Sequence, residues 1–158
     1  MLVGSLANWP KFMENAFENL NPGGWVELAD IHVKATCDDG TLPKDSALYK
    51  WSELFNDAAA AYGRPADCAK LYKEQMEAAG FVNVTQRVYK WPMNTWPRDK
   101  KYKELGMWAE QNLLNGLYAF SAALFTRALG WSPEELELFL VDVRKNVRDR
   151  SIHSYWPM

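Results

Sequence analysis

A chain of 158 residues, 48% hydrophobic and 24% charged, has the length and composition of one soluble globular domain, which excludes a disordered or fibrous protein. Its net charge of −2 supplies no overall basic field, so nucleic acid is not expected as a partner. The most apolar stretch, residues 113–129, contains Asn115, Ser121, Thr126 and Arg127, so it reads as a buried helix and no membrane span is expected.

In chain order, residues 9–20 read as a helix, with Asn8 as its cap, Pro10 in its first turn, and Phe12, Ala16, Phe17 and Leu20 on one face. The turn Asn21-Pro22-Gly23-Gly24 ends it, and "WVELADI" (25–31) follows as a strand. Residues 34–45 form a loop around Asp39-Gly40. Helices are predicted over 47–62, capped by Ser46, and over 66–79, ended by Gly80. "FVNVTQRVYKW" from Phe81 alternates as a strand, and "WPMNTWP" is a rigid aromatic connector. A long helix is expected over 101–129. Ser132-Pro-Glu-Glu135 is a capping box that opens another, running to about residue 149, and "IHSYWPM" closes the chain as the start of a strand.

Gly23-Gly24 precedes its strand, whereas a phosphate-binding glycine loop follows a strand and opens a helix; the pair is read as a turn. Glu27, Asp30 and His32 lie at or just past a predicted strand end. They read either as polar groups facing a pocket, an acid–base pair among them, or as sheet groups satisfied by backbone amides or a neighbouring arginine. A metal site from Asp30, His32, Cys37 and Asp38 or Asp39 would match no known ligand spacing, so no metal is assigned. His153 and Tyr155 read as a base with an orienting hydroxyl, or as residues that cap a strand. Eight tryptophans and 14% aromatic residues favour an apolar pocket or a partner surface. Trp91, Trp96, Trp108, Tyr118, Phe120 and Phe125, with Tyr155, are the candidates to contact an apolar small molecule, core packing being the other use of each. The basic clusters around Lys100 and Arg148 are interleaved with acids, as on solvated helix faces. Cys37 and Cys68 form no redox or metal-like pair, as expected of a reduced intracellular protein, cytoplasmic or nuclear.

Several stretches together carry a family resemblance: "NWP", "NLNPGGWVEL.D", "DDGT", "AGFVNV", "KWP.NTWP.D", "GL.AFS.ALFTR.LGWS.EE.E.FL" and "R.IH.YWP". The chain resembles, over nearly all its length, the C-terminal part of the fungal LaeA-like S-adenosylmethionine-dependent methyltransferases, which include regulators of secondary metabolism. The resemblance implies an α/β class I, Rossmann-like fold with strand order 3-2-1-4-5-7-6, present here as an incomplete sheet. It makes residues 24–31 the fifth strand, 81–90 the sixth and 152–158 the start of the seventh, with 101–149 a helical cap over the substrate. It implies S-adenosyl-L-methionine as the family's cofactor, yet the glycine-rich loop, the ribose-holding acid and strand four have no counterpart here. The expectation is therefore a truncated methyltransferase domain that neither holds the cofactor nor methylates unaided. Two alternatives stand beside it: a non-methylating enzyme, such as a cyclase or isomerase, using Glu27, His32 and His153, and a non-catalytic chain that completes its sheet with a copy or a partner.

Overall fold

A computed structural model describes residues 4–158 as a mixed α/β arrangement of helices around a small antiparallel sheet. Helix α1 (Trp9–Asn19) starts where the sequence predicts, the Asn8 side chain accepting from the Lys11 amide at 2.9 Å. Helix α2 (Ala47–Ala61) is capped by Ser46. The helix expected over 66–79 begins late, with a 3-10 turn at Cys68–Leu71 before α3 (Tyr72–Ala79), and Gly80 ends it in the left-handed region at φ 106°. Strand β1 (Lys90–Pro92) leads to the 29-residue α4 (Lys100–Ala128), capped by Asp99. The predicted capping box forms in both directions at Ser132 and Glu135 and opens α5 (Pro133–Arg148), and β2 (Tyr155–Pro157) ends the order. Among the described residues no helix is long and apolar enough to cross a membrane.

Two clusters hold the chain together. The larger joins α2, α4, α5 and β2 through buried Leu48, Trp51, Leu117, Phe125, Leu140 and Trp156. Its tightest approach is at Gly106, where a Cβ would stand 2.0 Å from the Asn94 carbonyl oxygen, so only glycine lets α4 lie against the turn after β1. The smaller cluster packs α1 on α3 through Trp9, Met13, Cys68, Tyr72 and Met76.

The sheet departs from the predicted strands in a regular way. Lys90 lies opposite Pro157 and Pro92 opposite Tyr155, antiparallel, and Tyr89 and Met158 exchange two more bonds of 2.7 and 2.9 Å. On its other side β2 meets residues 32–36. Thr36 and Tyr155 exchange N–H···O bonds of 3.0 and 2.9 Å, and the His32 amide donates to Pro157 at 2.8 Å. β2 is thus the middle of three lines, antiparallel to both neighbours. Residues 24–31, read as a strand, carry none among the described residues, and pairing with β2 begins at His32. Residues 81–90 likewise carry a strand only from Lys90. At the antiparallel offset of β1 and β2, Lys90 lies opposite Pro157 and Tyr89 opposite Met158, so β2 takes up only the carboxyl end of 81–90. The predicted strand from Ile152 starts instead at Tyr155, because the Asp149 carboxylate accepts from the Ser151 amide and hydroxyl at 2.9 and 2.6 Å and holds 149–152 as a turn.

Candidate functional site

Residues 32–36 and β1 both run antiparallel to β2, hence parallel to each other, and their carboxyl ends lie together beside the start of β2. In open α/β sheets that is the side on which ligands bind. Three segments meet there: the loop 37–41, the connector 93–97 and the turn into β2.

Asp39 is the hub. One carboxylate oxygen accepts from the Cys37 thiol (2.9 Å) and from the Thr41 amide (3.1 Å) and hydroxyl (2.8 Å), and the other stands 2.5 Å from His153 Nδ1. Hydrogen bonds from Cys37, then His153 and Thr41, hold its carboxyl far below the usual range. Ionised, it only accepts, so His153 Nδ1 carries the hydrogen and Nε2 is the free nitrogen. The Thr41 hydroxyl also receives the His153 amide at 2.8 Å, tying loop to strand. The Trp96 ring stacks on the imidazole at 4.9 Å and 30°, and its indole N–H donates to the Ser154 carbonyl at 2.9 Å. Beneath it, fully buried Asn94 donates to the carbonyls of Val147 (2.9 Å) and Asp149 (3.1 Å), and its own oxygen receives the Trp96 amide at 2.9 Å.

Asp38 serves different partners. The Tyr155 hydroxyl donates to it at 2.7 Å, and Lys90 reaches it at 2.5 Å while lying 5.3 Å from the Tyr155 ring centre. Burial, then the hydrogen bond to Asp38, pushes the Tyr155 phenol up to about 12. Tyr155 therefore orients Asp38, and the group orienting His153 is Asp39.

The other candidates are dispersed. Glu27 is exposed. Asp30 is buried at the smaller cluster, where it accepts from the Tyr72 hydroxyl at 2.9 Å, and Tyr72 lies 3.4 Å from the Cys68 thiol. Burial raises both the tyrosine and the thiol well above their ordinary values, which leaves Cys68 an unreactive core residue. Trp91 packs against the larger cluster and Phe125 is wholly inside it. Trp108, Tyr118 and Phe120 are exposed along α4, at 62%, 39% and 50%, so these aromatics line no common pocket. A shallow cavity of about 410 Å³ lies elsewhere, between Tyr49, Lys50, Leu54, Trp131 and Phe139. Among the described residues no group of three or more His, Cys, Asp or Glu side chains is placed to hold a metal ion.

His32 is half-buried, and burial lowers its pKa from 6.5, with Asp67 partly opposing the shift. A histidine depressed in the fold binds protons more readily when unfolded, so its contribution is full above 6.5 and is lost as pH falls through its folded value. Urea midpoints measured from pH 7.5 to 5 are expected to fall, and His32→Gln is expected to flatten that part of the curve. Acid loss from Asp38, Asp39 and Asp149, all held below 3.8, belongs to a lower pH range.

Thr41, Lys90 and Asn94 were not picked out as site residues from the sequence, and Asp38 and Asp39 were weighed only as metal ligands. The one signal was that "DDGT", "KWP.NTWP" and "R.IH.YWP" are separate motifs of the same resemblance; all three converge here.

Comparison with known proteins gives relatives throughout. The chain is 38% identical over 149 residues, 94% of its length and 47% of the relative's, to the probable methyltransferase tdiE of Emericella nidulans. It is 35% identical over 153 residues (97% and 47%) to the methyltransferase pytC of Aspergillus terreus. It is 36% identical over 157 residues (98% and 51%) to the secondary metabolism regulator LAE1 of Cochliobolus heterostrophus. The chain spans about half the length of these relatives. No protein-family model matches it, and no solved structure does.

Proposed function

We propose, for a chain that belongs to the LaeA-like methyltransferase family, that it forms the substrate-facing part of a methyltransferase acting on a small apolar product of fungal secondary metabolism. The observation carrying this reading is the position of β2, antiparallel and flanked by residues 32–36 and β1. That is the order 5-7-6 of the class I methyltransferase sheet, and it supports a partial Rossmann-like fold. The exposed aromatics of α4 suit an apolar substrate or the rest of such an enzyme.

The family's cofactor does not fit the residues present. S-adenosylmethionine sites in this fold use a glycine-rich turn and a helix N-terminus with free amides. Here the helix starts of α1, α2, α4 and α5 are closed by the side chains of Asn8, Ser46, Asp99 and Ser132. The glycine pair 23–24 leads into no helix. Calorimetric titration of the 158-residue chain with S-adenosylmethionine or its demethylated product is expected to give no heat at micromolar affinity. Micromolar binding would overturn this assignment of roles.

The same reading makes the flanks of β2 a docking edge. Residues 24–31 and 81–88 carry exposed Trp25, Val82 and Val88, and such edges pair readily with another strand. The chain is proposed to associate with a copy or a partner chain through them.

A further inference from the structure

We propose that His153, held by Asp39, is a proton acceptor for a phenolic or enolic hydroxyl bound at the carboxyl ends of residues 32–36 and β1. The inference does not rest on methyl transfer and survives its failure.

The placement of four groups carries it. Asp39 accepts the hydrogen bond from His153 Nδ1 at 2.5 Å, which fixes the tautomer and leaves the lone pair on Nε2. No described residue hydrogen-bonds Nε2, and the side chain keeps 36% of its surface in solvent. The Trp96 ring, anchored at both its backbone and indole nitrogens, fixes the imidazole plane. The neighbouring carboxylate, Asp38, is already held by Lys90 and the Tyr155 hydroxyl. Asp39 alone is left to stabilise an imidazolium.

The step balances without a further reagent. The O–H bond of the substrate breaks, its electron pair stays on oxygen, and the proton forms the Nε2–H bond of an imidazolium paired with Asp39. An imidazole performs this best on acids whose pKa lies within a few units of its own, which selects phenols and enols over alcohols. The resulting oxyanion is a nucleophile for whatever electrophile the complete protein presents.

The chain contains two histidines, so His32 is an internal control. The full 158-residue chain is treated with diethyl pyrocarbonate and mapped by mass spectrometry. His153 is expected to acylate at least about fivefold faster than half-buried His32, because Asp39 fixes its tautomer and leaves the Nε2 lone pair without a hydrogen-bond partner among the described residues. The probe ligand is 4-nitrophenol, whose phenolate absorbs near 400 nm. Below the probe's own pKa, wild type is expected to raise the phenolate fraction, and His153→Gln to lose that rise. Should the variant misfold, nitrogen-15 spectra of the wild type decide: imidazolium must appear at His153, and not at His32, as phenolate forms. Equal acylation of the two histidines, an unchanged phenolate fraction in wild type, or protonation at His32 alone would overturn the proposal. Methyl-transfer capacity enters none of these readouts.

Discussion

Trp51→Ala is expected to lower the unfolding free energy by about 3–5 kcal/mol, the usual range for deleting a buried tryptophan. Trp51 is 1% exposed and sits where α2, α4 and β2 meet. Its ring centre lies 5.3 Å from Phe55 and 6.2 Å from Trp156, so the deletion empties the junction between helices and sheet. Its indole N–H donates to the Ser121 hydroxyl at 2.8 Å, which donates in turn to the Leu117 carbonyl at 2.6 Å. The Ser121 oxygen would lose its donor inside the core. Trp51→Phe keeps most of the volume and is expected to cost roughly half as much, the difference reporting the hydrogen bond and the lost ring. Urea unfolding followed by circular dichroism measures both.

Asn94→Ala is expected to cost about 2–4 kcal/mol, from buried backbone groups left without partners. The Asn94 side chain bridges the end of α5 and the turn into β2, through the carbonyls of Val147, Asp149 and Ile152, while its oxygen holds the Trp96 amide. Beyond stability, the variant is expected to free the Trp96 ring from His153, seen as a change in tryptophan emission that Trp96→Phe abolishes. Asn94→Asp at neutral pH is expected to be at least as damaging, since it replaces the donor with a second acceptor facing three carbonyls. Unchanged melting in both variants would remove Asn94 from its bridging role.

The helices were legible through local signals: Asn8, Ser46 and the Ser132–Glu135 box cap locally, and Gly80 ends α3, whose late start has no side-chain cap to mark it. Local signals of that kind need no knowledge of the rest of the chain. The strands were not legible in the same way. "WVELADI" and "FVNVTQRV" have strand-like patterns, but a strand exists only when another chain segment takes its hydrogen bonds, and residues 154–158 bond to positions 32, 36, 89 and 93 instead. The site followed the same division. His153, Tyr155 and Trp96 could be marked as chemically able residues, whereas Asp39 became His153's partner only through a contact spanning 114 positions. The pairing of Tyr155 with Asp38, not His153, was equally invisible, because that contact spans 117 positions.

The arrangement of β2 between residues 32–36 and β1 is what joins the fold to the family and the site to the sheet. Hydrogen exchange combined with sedimentation at low micromolar concentration tests it most directly. The account predicts protected amides at His32, Thr36, Tyr89, Met93, Tyr155 and Met158, each of which donates in the ladder, and rapid exchange over 25–29 and 82–88 in any monomeric fraction. Strong protection at Trp25 to Ala29 in a monomer, or free exchange at Tyr155, would contradict it.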